Sequence, residues 1–210
     1  MAAEIGVGFA CYHLGNIAEA RRWLEQAIER ARPIRHLRRL AEALIGLGLA
    51  ELSADQPLSA REHLSKAATI ARESEARGNL AAGLAALART ERCLGDLTLA
   101  LTHSLEATQV ARQIGAPACE LWGELETGLA RLAQGDAEAA LEHTARAVDL
   151  APRGDEKWIG VEQAHRAHAR VLQELGRIQA AAEQERLAEA IVAAKAERIP
   201  DAEQRRRYLE

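Results

Sequence analysis

Seven histidines are the first candidates for chemistry in this chain of 210 residues. Three of them, His63, His103 and His143, are forty residues apart, and Trp23 stands forty residues before the first. Imidazole binds many metals, but zinc ligands must all lie about 2 Å from one ion. A regular forty-residue spacing instead predicts equivalent positions on stacked helices, about 10 Å apart. We therefore predict a recurring structural position there, and no metal site.

A second pair of histidines, His165 and His168, is three residues apart. This spacing places both rings on one face of a helix. No carboxylate stands at a spacing that would complete a metal site with them. We therefore expect no metal and no other cofactor.

One segment has the outer glycine spacing of a phosphate-binding loop, with Gly78 and Gly83. Leu84 and Ala85 follow where that motif needs a lysine and a hydroxyl residue, so nothing would contact the phosphates or Mg²⁺. The chain also lacks the serine nucleophile elbow, the paired-histidine zinc motif and any pair of cysteines with two residues between them. The sequence therefore predicts a protein that is not an enzyme and has no catalytic residues.

The composition favours a helical globular protein. The chain is 48% hydrophobic, 28% charged and only 3% aromatic, and its formal net charge is −4. High apolar content with low net charge is unlike a disordered chain. Sheets favour aromatic and β-branched residues, whereas alanine and leucine dominate here. Cys11, Cys93 and Cys119 are too few for a disulfide framework, and we expect them to be small packing residues.

Charge and hydropathy also limit the partners and the location. The pI near 6.0 predicts no general affinity for nucleic acid or an anionic membrane. The acidic start, residues 1–4, is unlike the basic flank of a signal peptide. The longest apolar run, residues 40–52, contains Glu42 and Glu51 and is too short to cross a bilayer. We therefore expect a cytoplasmic protein with no membrane or nucleic-acid partner.

An internal repeat of forty residues organises the whole chain. Four segments align at this spacing without gaps: Gly15-Asn16-Ile17, Asp55-Gln56-Pro57, Gly95-Asp96-Leu97 and Gly135-Asp136-Ala137. Alanine recurs downstream in three columns: Ala20, Ala60, Ala100 and Ala140; Ala27, Ala67, Ala107 and Ala147; Ala31, Ala71, Ala111 and Ala151. Small residues recur upstream: Gly8, Gly48, Ala88 and Gly128. A fifth copy follows one inserted residue, with Gly176, Ala181 and Ala188.

Each repeat is predicted to be a pair of antiparallel helices. Small residues at fixed positions allow the two helices to approach closely. Glycine ends the first helix, where a left-handed residue is needed, and Asn16, Asp96 and Asp136 suit the N-cap of the second. Proline marks the boundaries: Pro33, Pro117 and Pro152 between repeats, and Pro57 and Pro200 at helix starts. A single pair cannot bury its apolar face, so the pairs must stack.

The predicted fold class is all-α, a right-handed α-α superhelix of five helical hairpins plus a short C-terminal helix. The predicted helices are 2–14, 17–32, 36–53, 57–75, 79–94, 97–114, 117–134, 137–150, 156–175, 178–198 and 201–209. We expect a single domain over residues 1–210, with units near 1–34, 35–77, 78–115, 116–154 and 155–198 and a tail at 199–210.

These positions resemble the tetratricopeptide repeat family. The shared features are the small residue in the first helix, the turn of glycine with Asp or Asn, the alanine pair in the second helix, and Pro152 after Asp149-Leu150-Ala151. The unit is longer than the usual one of about 34 residues, and most large aromatics of the first helix are missing. Long units of this kind resemble the repeat regions of bacterial regulators, such as the maltose-regulon activator, signal-transduction ATPases and nucleotide cyclase fusions. The closing stretch, residues 196–210, is similar to the C-terminal end of such proteins.

The first helix begins at residue 1 or 2, about four residues later than the repeat frame predicts, and it lacks an N-cap. We interpret this as a sign that the chain is a fragment, or a small reading frame descended from a longer regulator.

The resemblance implies that partners dock on the concave face formed by the first helices of the pairs. Steps of three and four residues along each first helix define one stripe per unit. The stripe comprises Phe9, Tyr12 and His13; Ile45, Leu49 and Leu52; Arg89 and Arg92; Trp122, Leu125, Leu129 and Leu132; and Arg166, Arg170 and Gln173. Apolar rows interrupted by arginines suit an amphipathic helix or an extended peptide that carries carboxylates. The alternative is a tight superhelix in which these apolar rows are internal core.

The second helix of the last unit and the C-terminal tail are rich in charged residues. The second helix of unit five replaces apolar positions with Glu183, Glu185, Arg186 and Glu189, which suits a cap on the stack or a face against another subunit. The run 205–207 of three arginines is predicted to be a solvated cluster.

The sequence therefore predicts a non-catalytic module for protein–protein interaction or assembly, the C-terminal sensing or scaffold region of a bacterial signalling or transcriptional regulator. Its partner would be a protein or peptide, amphipathic and acidic, and self-association into a homo-oligomer stays open. The alternative is a sensor that binds a small-molecule effector in the concave groove near Trp122.

Overall fold

The computed structural model describes residues 1–151 and 160–209, except for the side chain of residue 207. Within them the chain forms the helices α1 (Ala2–His13), α2 (Ile17–Ala31), α3 (Leu37–Ser53), α4 (Pro57–Glu73), α5 (Arg77–Cys93), α6 (Leu97–Gln113), α7 (Pro117–Ala133), α8 (Ala137–Leu150), α9 (Val161–Glu174), α10 (Ile178–Glu197) and α11 (Ala202–Leu209). The predicted all-α class is confirmed. Pro152 and the predicted helix start at residue 156 lie outside the described residues.

A left-handed residue closes each short turn between consecutive helices from α1 to α8, and also the turn between α9 and α10. Gly15, Gly95, Gly135 and Gly176 take this role at the predicted places, with φ between +71° and +84°. The same conformation recurs at the turns between repeats, so that it returns every twenty residues: Gly15, Arg35, Asp55, Glu75, Gly95, Gly115 and Gly135. At Gly15 the amide of Asn16 donates to the carbonyl of Cys11 across the turn at 2.8 Å. This bond satisfies a helix-end carbonyl and reverses the chain sharply.

Two of the three predicted N-caps use their side chains. The Asp96 carboxylate accepts from the amide of Leu99 at 3.0 Å, and the Asp136 carboxylate accepts from Ala139 at 3.1 Å. Asn16 occupies the N-cap of α2 without a side-chain hydrogen bond. Pro117 was expected between repeats and is the first residue of α7, where a missing amide hydrogen costs nothing.

The small-residue columns lie where helices touch. All but one of the alanines in the three columns are at most 1% exposed, and Ala151 is half-buried. A Cβ added at Gly8 would lie 2.7 Å from Leu24 Cγ, and one at Gly48 would lie 2.6 Å from Leu64 Cγ. Glycine is therefore required at these positions because the facing leucine of the second helix fills the space.

The helices form two layers, and the layers differ in how their members contact one another. The odd-numbered helices contact each other along the stack: α1 with α3, α3 with α5, α5 with α7, and α7 with α9. In the described parts of the chain, the even-numbered helices contact only their neighbours in sequence. A stack that is tighter in one layer must curve toward it. The odd-numbered helices therefore line the concave face, where the sequence placed the groove stripe.

Candidate functional site

The concave face contains a cleft of about 560 Å³, to which all five odd-numbered helices α1 to α9 contribute. Its volume lies within the range of about 300–1,000 Å³ that is typical of ligand pockets. We call it the first cleft. Seven residues of the predicted stripe line it: Phe9, Tyr12, His13, Ile45, Leu49, Arg89 and Trp122.

Aromatic rings line the first cleft from two helices, α1 and α7, that do not contact each other. Phe9, Tyr12 and His13 share one face of α1 because they are spaced by three and four residues. The Tyr12 and His13 rings meet edge to face with centroids 4.9 Å apart. Trp122 of α7 also lines the cleft, and its ring packs against Gly160, where an added Cβ would lie 2.6 Å from it. In a chain that is only 3% aromatic, three aromatic residues therefore meet at one site.

The bottom of the cleft is made of small side chains from α5. Ala82, Ala85 and Ala86 line it, together with Ile45 and Leu49 of α3. Alanine at these positions leaves space that a larger side chain would fill. The sequence did not identify these alanines as site residues, since alanine is also what the repeat uses at helix contacts.

One arginine in the first cleft is unpaired. The half-buried Arg89 side chain makes no hydrogen bond or ion pair within the described residues. Arg92, one helical turn later, is committed elsewhere, because its Nε donates to the Glu126 carboxylate at 3.0 Å. Glu126 also lines the cleft and is only 2% exposed. The lining of the cleft therefore holds one uncompensated positive charge.

His13 does not add to that charge near neutral pH. Burial lowers the pKa of its imidazole, and the nearby Lys195 cation lowers it further, against the opposing effect of Glu162. Lys195 of α10 donates to Glu162 of α9 at 2.6 Å. The effect of Lys195 and Glu162 on His13 shows that the end of α1 lies near the last pair of helices. Gln163 of α9 lines the same cleft. The superhelix therefore wraps round far enough for its last repeat to face its first.

A second cleft of about 420 Å³ lies beyond the Arg92–Glu126 pair. It is lined by Arg92, Leu129, Leu132, Ala133, Gly135, Ala137, Arg170 and Glu174. Arg92 lines this cleft while Glu126 lines the first, so their ion pair stands between the two. Four further residues of the predicted stripe, Arg92, Leu129, Leu132 and Arg170, thus meet at a separate place.

The remaining stripe residues lie outside both clefts. Leu52 is half-buried and packs against the core of the first three repeats. Leu125 is 1% exposed and belongs to the core beneath α7 and α9. Arg166 is exposed on α9, close enough to the half-buried Tyr208 of α11 to affect its pKa. Gln173 is exposed and lines neither cleft. The apolar rows are therefore partly cleft wall and partly core.

The column of histidines has structural partners in two of three repeats. His63 Nδ1 lies 2.8 Å from the Glu51 carboxylate, and His143 Nδ1 lies 2.6 Å from that of Glu124. His103 Nδ1 is buried without a hydrogen bond, and burial lowers the pKa of its imidazole. Within residues 1–151 and 160–209 no group of three or more candidate ligands could hold a metal ion.

The second pair of histidines has hydrogen-bond partners too, and here both partners are neutral side chains. His165 Nδ1 lies 2.7 Å from the Gln184 side-chain oxygen, and His168 Nδ1 lies 2.9 Å from the Thr144 hydroxyl. These contacts tie α9 to α10 and to α8. Both rings therefore contribute to packing between helices.

Sequence reasoning missed Glu126, Cys119 and Gln163 as cleft residues. A signal existed for Glu126, because Gly46 and Ala86 occupy the same column in earlier repeats. A carboxylate in a column of small residues is a departure from the repeat and so identifies a candidate position. Cys119 and Gln163 break no column and carried no such signal.

The structure describes no helix with the length and apolar character needed to cross a membrane.

Known proteins share this fold. The tetratricopeptide repeat family matches residues 1–73. No curated protein matches the chain significantly. The Rap conjugation gene regulator of plasmid pLS20, in complex with the Phr* peptide, superposes with a TM-score of 0.76 at 20% identity, over 98% of this chain and 60% of that one.

Two other solved structures superpose on this chain over most of its length. A Rap protein complexed with competence and sporulation factor has a TM-score of 0.79 at 17% identity, over 90% of this chain and 53% of the other. BtubC from P. vanneervenii has a TM-score of 0.68 at 19% identity, over 94% and 82% of the two chains. The chain thus spans little more than half of each of the two Rap proteins. The resemblance to tetratricopeptide repeats and the superhelical fold predicted from sequence are confirmed.

Proposed function

We propose that this chain, a solenoid of the tetratricopeptide-repeat type, is a non-catalytic binding module that holds an acidic, partly apolar peptide segment of a protein partner in its first cleft. The observation that carries the proposal is Arg89, an unpaired guanidinium in a cleft with aromatic walls. A guanidinium removed from water gains most from a carboxylate that it can bind through two hydrogen bonds.

The charge arrangement favours a ligand with one carboxylate at this place. Glu126 is neutralised by Arg92 at 3.0 Å, and the lowered pKa of His13 keeps its ring uncharged. Arg89 is therefore the one cation among the described residues of the cleft lining that a ligand carboxylate could pair with. Large apolar side chains of the same segment would contact Trp122, Phe9 and Tyr12, which supply contact area at small entropic cost.

The fold neighbours are consistent with such a role. Two of them are described in complex with a peptide or with competence and sporulation factor. At 20% identity or less these proteins show the fold alone, so the ligand of this chain has to be inferred from its own residues. We place the module in a bacterial signalling or transcriptional regulator, as the long repeat unit suggests. Its three free cysteines suit a reducing compartment, which favours the cytoplasm.

A selection from a random dodecapeptide display library tests this proposal. We expect enriched peptides that carry a large apolar residue near an Asp or Glu. Each enriched peptide is then labelled and its affinity measured by fluorescence anisotropy. Arg89→Ala should weaken binding at least tenfold, because the carboxylate would lose its only partner.

The matched control is Arg146→Ala, which removes the same charge from an exposed residue of the outer helix α8. It should leave the affinity unchanged. Failure to enrich any peptide, or equal affinity of enriched peptides for the wild type and Arg89→Ala, would contradict the proposal.

A small-molecule effector is the second candidate, and the size and mostly apolar lining of the first cleft favour it. A thermal-shift screen of metabolites with a carboxylate and an apolar body tests it. A ligand at about a hundred times its dissociation constant adds about 2.7 kcal/mol to the free energy of unfolding. The rise in melting temperature should disappear in Arg89→Ala. A screen in which no metabolite raises the melting temperature would contradict this candidate.

A further inference from the structure

The turn between α2 and α3 carries an unusual concentration of positive charge. Five of the ten residues from 30 to 39 are arginine and none is acidic, in a chain whose net charge is −4. The segment belongs to neither cleft and takes no part in the proposed groove function.

Two of these arginines have partners and three have none. Arg30 pairs with Glu4, and Arg39 donates to Glu42 at 2.6 Å. The side chains of Arg32, Arg35 and Arg38 make no hydrogen bond or ion pair among the residues that the structure describes, and all three are exposed. Their guanidinium groups are therefore available to a partner.

The repeat provides an internal comparison for Arg32. Arg72 occupies the same column and donates to Glu106 of the next repeat at 2.6 Å. The residue in the place of Glu106, forty positions earlier, is Lys66. A like charge has thus replaced the acceptor at the first repeat junction, which leaves Arg32 without the bond that Arg72 makes.

Arg112, the third arginine of this column, also has acceptors that the first repeat junction lacks. Arg112 donates to Glu120 at 2.6 Å and to Glu124 at 2.5 Å. The corresponding positions of the first junction hold Leu40 and Leu44, which accept no hydrogen bond. The first junction alone has lost every acceptor that this column uses.

The backbone holds this turn in place. The amide of His36 donates to the carbonyl of Ala31 at 3.1 Å, and the Asn79 side chain donates to the carbonyl of Arg38 at 2.8 Å. Ile34, at the tip, is 63% exposed. The turn therefore presents three free guanidinium groups and one apolar side chain from a fixed backbone.

We propose that this turn, Arg32, Arg35 and Arg38 around Ile34, is a second docking site, and that it binds an acidic segment of a protein partner. Carboxylates would pair with the guanidinium groups, and an apolar residue among them would contact Ile34. Specificity would come from charge complementarity with the turn.

The surroundings favour a compact protein ligand over an extended polyanion. The neighbouring turn, between α4 and α5, exposes Glu73 and Glu75 together with Arg72 and Arg77, so it adds no net positive charge to the surface. A membrane surface would span both turns and face these carboxylates. The segment 30–39 contains no Phe, Tyr or Trp on which a nucleic-acid base could stack, and its one aromatic ring is that of His36.

The probe for the test is an octapeptide with fluorescein on its N-terminus, fluoresceinyl-(Glu-Glu-Leu-Glu)₂-amide, titrated with the intact chain and followed by anisotropy. We expect saturable binding that weakens as salt is raised. The triple variant Arg32→Ala, Arg35→Ala and Arg38→Ala should weaken it at least tenfold. A matched triple variant, Arg22→Ala, Arg146→Ala and Arg186→Ala, removes the same charge from outer helices and should bind like the wild type.

Two further arms separate this site from the groove and from other anions. The contribution of the turn is measured in the Arg89→Ala background, where adding the Arg32, Arg35 and Arg38 substitutions should still weaken binding of the octapeptide at least tenfold, so that failure of the groove proposal leaves this one standing. Vesicles containing phosphatidylserine and a single-stranded DNA dodecamer are titrated in parallel. Absence of octapeptide binding, equal binding by the Arg32, Arg35 and Arg38 triple variant, or tighter turn-dependent binding of vesicles or DNA would overturn the proposal. Far-ultraviolet circular dichroism checks that each variant is folded.

Discussion

Arg92 Nε donates a hydrogen bond of 3.0 Å to the carboxylate of Glu126, and this pair stands between the two clefts of the concave face. The Glu126 side chain is 3% exposed and that of Arg92 is 22% exposed. The guanidinium is the one hydrogen-bond partner of this nearly buried carboxylate among the residues that the structure describes. One ion pair thus joins α5 to α7 between the two clefts.

Arg92→Ala should therefore destabilise the protein. It leaves a buried carboxylate unpaired, and we expect a loss of about 2 to 3 kcal/mol in the free energy of unfolding. Urea denaturation measures it. The double variant Arg92→Met with Glu126→Met removes both charges and should recover most of the loss. A double variant no more stable than Arg92→Ala would show that packing, and not the unpaired charge, causes the effect.

Gly123→Ala should separate α6 from α7. A Cβ at Gly123 would lie 2.3 Å from Thr108 Oγ1 and 2.9 Å from the Thr108 backbone nitrogen, and a backbone atom cannot rotate away. We expect a loss of about 1 to 3 kcal/mol in the free energy of unfolding. Gly6→Ala is the control, since nothing lies within 4 Å of its added Cβ, and it should stabilise α1 by up to about 1 kcal/mol. The same sign for both variants in urea denaturation would refute the packing argument.

Stability should fall as the pH drops below about 6.5, the ordinary pKa of histidine. Burial lowers the pKa of His103, and also those of His13 and His168. In this window the unfolded chain binds protons that the folded chain does not, so the free energy of unfolding decreases. Around His103, Glu106 and Asp96 oppose the shift and Arg72 reinforces it.

His103→Gln tests the contribution of that ring. Urea denaturation at about pH 7.5 and about pH 5.5 should show a smaller decrease for the variant than for the wild type, while His13 and His168 keep part of the slope. An identical decrease in both proteins would mean that His103 titrates as it does in the unfolded chain.

The exposed Cys93 and the cleft residue Cys119 should differ in their rates of alkylation. Cys93 is exposed, whereas burial raises the pKa of the Cys119 thiol. Alkylation requires the thiolate, so iodoacetamide at about pH 7.5 should modify Cys93 first. Peptide mapping by mass spectrometry gives the order. Because Cys119 lines the first cleft, a peptide bound there should slow its modification further and leave the rate at Cys93 unchanged.

The repeat itself could be predicted from the sequence because it depends on local rules. A left-handed glycine at Gly15 ends one helix, Asp96 caps the next, and Ala27 must be small because two helices touch there. Each of these requirements involves residues close in the chain or at a fixed place in the repeat. Fold class and the approximate bounds of the helices follow from them.

The state of each charged side chain was decided by the tertiary structure. Arg89 and Arg92 are three residues apart on one helix face and look equivalent in sequence, yet only Arg92 meets a buried carboxylate. Arg32 and Arg72 share a column, yet only Arg72 meets an acceptor. The partner comes from another helix in both cases, and the curvature that brings the last repeat toward the first accumulates over the whole stack. A guanidinium is free or paired according to contacts that sequence spacing does not encode, and in this protein those contacts define where a ligand would bind.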